Sequence, residues 1–232
     1  MRMFRSHVLV LSVLPLILNI LVTPIVVISA VSLPEFLKSS TYYIYTYGLV
    51  LWSIYHVFLA GITLKFFKAE KESVRGIIGS AKGRLWLTIL MVVVLLGLSV
   101  LLFQIIEPRV TDLIYGPNMW KQILNEYKRV PWALAVYGIA VTSLTAGICE
   151  EMVWRGYLQT RFERLLRGKV SAAILLQAVL FGFWHSISVH TLFTAIFGLV
   201  YGVVYAKSRE LAPIMISHWL GDVIGFSVMY FM

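Results

Sequence analysis

The chain alternates long apolar runs with short charged segments. Seven runs stand out: Val8–Val31, Tyr42–Leu64, Leu85–Ile106, Pro131–Leu158, Val170–Val189, Leu192–Ala206 and Leu211–Met232. Most approach the roughly 20 residues that carry a helix across a bilayer, and the sixth is short for that. The pattern predicts an all-α polytopic membrane bundle of about seven transmembrane helices. The first run follows Arg2 and Arg5 as a signal peptide would, but it is far longer than an h-region of about 7–15 residues and no A-x-A site closes it. It is read as a first transmembrane helix, bent at Pro15 or Pro24. Between runs three and four, Trp120, Ile123, Leu124 and Tyr127 recur at helical spacing within Pro117–Val130, which predicts an amphipathic helix on the outer surface. Lys65–Arg84, with Phe66, Phe67, Ile77 and Ile78 among charges, is expected to lie along the inner surface. No internal repeat or separate soluble domain is evident, so residues 1–130 (helices one to three and the outer loop) and 131–232 (helices four to seven) form one membrane domain.

Composition sharpens this picture. The chain is 59% hydrophobic and 13% charged, with a mean hydropathy of +0.85, outside the soluble range. The net charge of +9 comes from basic residues between the apolar runs, so it reports topology and an anionic lipid partner rather than nucleic acid. With a cytoplasmic amino terminus, fifteen Lys and Arg fall inside, and only Lys38, Arg109, Lys121, Lys128 and Arg129 fall outside. Basic loops resist translocation, so this orientation is expected. The single Cys149 excludes an intramolecular disulfide and a cysteine metal cluster.

The candidate chemistry begins at TAGICEEMVWRGYLQ (145–159), where Glu150, Glu151 and Arg155 end the otherwise uncharged stretch Pro131–Cys149. Ionisable groups near lipid are read as a site. Glu151 and Arg155, at i and i+4, share a helix face and can pair, whereas Glu150 points about 100° away and stays free. Helix five sets Phe181 and His185 at the same spacing, and helix seven does so with His218 and Asp222. At about 1.5 Å per residue, Glu150, His218 and Asp222 lie roughly 16, 12 and 18 Å from their charged helix ends, while His185 comes out too deep at some 24 Å. If they converge, Glu150 can take a proton from a water that His185 orients, and His218 with residue 222 can stabilise an oxyanion. Asp222 does so only when protonated or by fixing the His218 tautomer. The same residue types suit a divalent metal such as zinc, with His185, His218 and Glu150 as ligands, and both chemistries stay open.

In these three motifs, Glu150-Glu151-x-x-x-Arg155, Phe181-x-x-x-His185 and His218-x-x-x-Asp222, the chain resembles the type II CAAX prenyl endopeptidase family of intramembrane proteases, also called CPBP or bacterial Abi. The resemblance covers about the last 100 residues. It implies a conical cavity open to the cytoplasmic side, water activation by Glu150 and His185, and an oxyanion site at His218 and residue 222, where asparagine often stands. Glu151 and Arg155, with Phe181 packed nearby, would support the site. The implied reaction is peptide-bond hydrolysis near the carboxyl end of prenylated or hydrophobic tails. Two alternatives are a non-catalytic immunity or scaffold protein that keeps the motifs, and a proton-coupled transporter, which the absence of a two-fold repeat disfavours. His56 has no partner at helical spacing and is read as core or interface. His190 is read as a solvated end residue, and Cys149 as no nucleophile.

Overall fold

A computed structural model describes residues 2–78 and 85–232, which are helical and contain no strand. Six helices are long and apolar enough to cross a membrane: α1 (Phe4–Val31), α2 (Ser40–Ala69), α3 (Leu85–Tyr115), α4 (Trp132–Leu165), α6 (Val189–Ser208) and α7 (Ala212–Phe231). The seventh, α5 (Val170–His185), is apolar but shorter. The sixth apolar run therefore makes a full-length helix and the fifth does not. Sequence placed their boundary too late, because Ser188 caps α6: its hydroxyl accepts from His190 N–H at 3.2 Å and its own N–H donates to Thr191 Oγ1 at 3.0 Å. At 1.5 Å per residue, the 16 residues of α5 reach only about 24 Å.

Leu21, Ile25, Ile54, Val57, Leu85, Ile89 and Val93 are exposed, whereas His56, Glu150, Glu151, Arg155 and His218 are buried. This inversion suits a bilayer, since lipid solvates apolar side chains and polar ones must find partners inside. One core runs from Val8 and Leu11 on α1, through Leu59 and Phe67 on α2 and Leu95 on α3, to Trp154, Phe181, Phe197 and Ile214. Helices α1 to α3 thus pack directly against the later ones.

The helices are not uniform. Wide π-type turns occur at Ile17–Val22 and Leu101–Ile106, each closing just before a helix segment that carries proline, Pro24 or Pro108, in its first turn. A proline lacks the N–H and crowds the carbonyl four residues back, and the wider turn relieves both. Three more wide turns fill most of Gly138–Gln159, the stretch that carries the acidic pair. Glycines set the closest contacts. A Cβ on Gly147 would stand 2.6 Å from the Trp219 backbone nitrogen, so α4 and α7 touch main chain to main chain. Gly182 and Gly198 bring α5 and α6 together in the same way, and Gly202 leaves room for the side chains of Gln177 and Gln159.

The two connecting segments dock on protein. Met119–Tyr127 is helical, and its Tyr127 packs with Tyr45, Leu49 and Tyr230 at one end of the bundle. At the other end, Phe67 is fully buried and Phe66 stacks on His7 at 3.9 Å, so both belong to the interior end of α2. A short helix, Val74–Ile78, follows, and Leu211 N–H donates to the Ile78 carbonyl at 3.2 Å. The rest of that expected surface segment, with Lys82 and Arg84, lies outside the described residues.

Glu70 organises this second end. It accepts from Tyr157 Oη at 2.5 Å and from Arg161 Nη2 at 2.8 Å, and it lies 3.0 Å from His7 Nδ1. Burial alone would raise its carboxyl, but hydrogen bonds from Tyr157, His7 and Arg161, with the Arg161 charge, prevail and hold it below the ordinary carboxylate range. Arg161, near the end of α4, is 1% exposed and also reaches Glu72 at 3.4 Å.

Candidate active site

All four groups singled out for chemistry line one cavity of about 160 Å³: Glu150 from α4, His185 from α5, and His218 and Asp222 from α7. Glu150 is 6% exposed. Its Oε1 accepts from Trp184 Nε1 at 3.2 Å and lies 2.8 Å from His56 Nε2. Its Oε2 has no hydrogen-bond partner among the described residues and faces His185 Nε2 across 3.8 Å. The depth mismatch for His185 closes because α4 runs on to Leu165: counted from there Glu150 lies about 22 Å deep, against some 24 Å for His185 at the end of α5. The carbonyl of Phe181 accepts from His185 Nδ1 at 2.9 Å, which fixes that ring's tautomer: a carbonyl only accepts, so Nδ1 carries the proton, and in the neutral ring Nε2 is a lone pair turned to Glu150.

The second half of the site is joined differently from the sequence reading. Glu151 Oε1 accepts from Arg155 Nη1 at 2.8 Å, so the i, i+4 pair is made, and it also lies 2.7 Å from His218 Nδ1 on α7. Glu151, not Asp222, therefore fixes the His218 ring. Asp222 Oδ2 stands 3.6 Å from His218 Nε2, too far for a hydrogen bond, and its side chain is 31% exposed to the cavity. Arg155 is completely buried, with its guanidinium over the rings of Phe181 at 4.4 Å, Tyr201 at 5.6 Å and Phe197 at 5.8 Å. These aromatic faces stabilise a cation that would be costly in lipid. Phe181 touches His185 and His218 edge-on at 4.6 and 6.3 Å between ring centres. The arrangement does not fit a three-ligand metal site of His185, His218 and Glu150. No three His, Cys, Asp or Glu side chains among the described residues are grouped to hold an ion.

Three side chains from the amino-terminal helices and α6 enter the site against expectation. His56 is a direct partner of Glu150, and its Nδ1 lies 3.1 Å from Thr145 Oγ1. Asn19, in the wide turn of α1, donates to the carbonyls of Trp184 and His185, which α5 leaves free at its end, and accepts from Trp52 Nε1 at 2.8 Å. His190 is not a solvated end residue: it pairs with buried Glu107 at 2.8 Å, beside His185. The available signal was a lone polar residue in an apolar run, which inside a membrane marks a partner to be found.

The cavity has a direction. His56, Glu150 and His218 are buried at its floor, and Tyr45, Gln104, His190, Phe226 and Met229, all partly exposed, form its mouth. The mouth lies at the end where Met119–Tyr127 docks, away from Glu70 and Arg161. The expected cytoplasmic opening and the expected cytoplasmic amino terminus therefore conflict, because α1 begins at the Glu70 end.

Residues 131–224 match the family model described as Type II CAAX prenyl endopeptidase Rce1-like, the CPBP type to which the motifs pointed. No curated protein and no solved structure matches the chain.

Proposed function

We propose, from the premise that residues 131–224 are a Rce1-like domain, that this protein is an intramembrane endopeptidase in which Glu150 and His185 activate water. One observation carries the reading. Glu150 Oε2 and His185 Nε2, two acceptors, face each other across 3.8 Å at a cavity wall, and one water oxygen can reach both at about 2.8 Å. Such a water gives a proton to each acceptor and turns its lone pairs into the cavity. Its oxygen attacks a peptide carbonyl while Glu150 takes the proton. The carbonyl oxygen gains the negative charge, which a doubly protonated His218 can stabilise through Nε2–H, with Glu151 holding the ring. Collapse of the tetrahedral intermediate breaks the C–N bond, and Glu150 returns the proton to the leaving amine, giving a carboxylic acid and an amine that exchange a proton to end as carboxylate and ammonium. His56 acts through Glu150 as a positioning residue: its contact at Oε1 leaves Oε2 aimed at the water. The substrate class is hydrophobic or lipidated peptide, and the positive-inside pattern supports a cytoplasmic amino terminus.

Purified protein in nanodiscs, given fluorogenic apolar peptides with and without a prenyl group, tests this. Glu150→Gln is expected to cut turnover by about 10²–10⁴, the range for a lost general base, and His185→Ala to act similarly. Parent-level turnover in Glu150→Gln would remove Glu150 from the chemistry, and no turnover in the parent would leave a scaffold that merely retains the motifs.

A further inference from the structure

We infer that the cavity opens on the extracytoplasmic face, and that its substrate is an extended, uncharged apolar peptide segment presented from that side. Only the word substrate rests on the endopeptidase reading. The sidedness rests on where the lining residues sit along their helices and on where the basic residues lie.

Distances along each helix from the end nearest Glu70 show the direction. At 1.5 Å per residue the floor residues His218, His56 and Glu150 lie roughly 9, 20 and 22 Å from Ala212, Ala69 and Leu165. The mouth residues Met229, Gln104 and Tyr45 lie roughly 26, 28 and 36 Å from Ala212, Leu85 and Ala69. Within α7 the lining runs from His218 to Met229 and within α2 from His56 to Tyr45, each away from the Glu70 end, so the hollow opens to the opposite face. The other half of the bundle is filled: Phe67, Arg155, Tyr157, Arg161 and Tyr201 are each at most 1% exposed, and the Glu70–Arg161 ion pair seals them. A chain cannot reach Glu150 through that half.

The filled end also carries the charge. Lys65, Lys68, Arg161, Arg164, Lys207 and Arg209 lie at the ends of α2, α4 and α6 there, with Arg5 at the start of α1 and Lys169 just before α5. Segments rich in Lys and Arg stay in the cytoplasm. The filled end is therefore cytoplasmic and the mouth external, opposite to the opening implied by the family resemblance. The mouth's chemistry limits what enters. Tyr45, Trp52, Phe103, Phe226 and Met229 supply aromatic and apolar surface, Gln104 adds an amide, and no Lys or Arg lines the cavity among the described residues. Apolar side chains are favoured there, and an anionic group would find no Lys or Arg at the mouth among the described residues.

Single cysteines in a Cys149→Ala background test this without any turnover. Gln122→Cys reports the docked helix, Lys169→Cys the filled end and Gln104→Cys the mouth, each probed with a membrane-impermeant sulfonated maleimide. In intact cells Gln122→Cys and Gln104→Cys are expected to react and Lys169→Cys to react only in inverted vesicles. Labelling of Lys169→Cys in intact cells with Gln122→Cys protected overturns the inference, and so does a Gln104→Cys that reacts from the inside alone or from neither side. As the substrate arm, a quenched apolar peptide tethered to dextran should be cut when added outside right-side-out vesicles. Cleavage by inverted vesicles alone overturns it. Absence of cleavage from either side would instead remove the endopeptidase reading and leave the labelling result standing.

Discussion

His56 offers the sharpest test of how the site works, because nothing in the three motifs includes it. Its Nε2 lies 2.8 Å from Glu150 Oε1 in a place where both side chains are about 5% exposed. Replacing His56 with Leu keeps a similar apolar volume and removes that donor, leaving Oε1 with Trp184 at 3.2 Å as its one remaining donor. A hydrogen bond to a charged group contributes about 1.5–3 kcal/mol, and each 1.36 kcal/mol of transition-state stabilisation is tenfold in rate. If that bond is what keeps Oε2 turned to the water, His56→Leu should lower kcat/KM by about 10- to 150-fold, less than Glu150→Gln. His56→Gln places an amide N–H near the position of the imidazole Nε2 and should recover most of the loss. The assay is peptide hydrolysis in nanodiscs across a pH series, with thermal unfolding measured on the same samples. His56→Gln and His56→Leu with similar thermal stability but different kcat/KM support a positioning role. Equal kcat/KM in His56→Leu and the parent, or no recovery in His56→Gln, would refute the reasoning.

Other consequences follow from the packing. Gly147→Ala puts a methyl 2.6 Å from the Trp219 backbone nitrogen, so α4 and α7 must separate; an overpacking cost of about 1–3 kcal/mol and at least tenfold lower activity are expected, and an unshifted melting point would count against the main-chain contact. Asn19→Leu strips the partner from the Trp184 and His185 carbonyls and from the Trp52 indole. At about 1–3 kcal/mol per unsatisfied group and roughly 2–4 °C per kcal/mol, differential scanning should show a drop of at least several degrees, and none if water replaces the amide. Glu70 has a folded value below its ordinary 4.5, so its stabilisation is fully present above that pH and is lost as the pH falls through the folded value. Glu70→Gln should therefore melt lower at pH 7 and lose less on acidification to pH 3; a slope equal to the parent's would show that Glu70 contributes nothing.

The sequence determined much of this protein. Apolar length and charge distribution alone specify an all-helical membrane bundle, because lipid admits no unpaired backbone and tolerates few charges. Helical spacing alone predicted that Glu151 and Arg155 would share a face and that His218 and Asp222 would share another. What the pattern does not contain is how far one helix is displaced along its axis against the next, or which stripes face each other. That is why His185 came out too deep until α4 proved to run on to Leu165, and why His56, one imidazole among aromatic residues on α2, had no visible partner. Asn19 was silent for the same reason, since its partners are two carbonyls at the end of another helix. The direction of the cavity is the clearest product of tertiary structure alone. It depends on which half of the bundle the large side chains of seven helices fill, and Phe67, Tyr157, Arg161 and Tyr201 meet in one half only after the chain has folded.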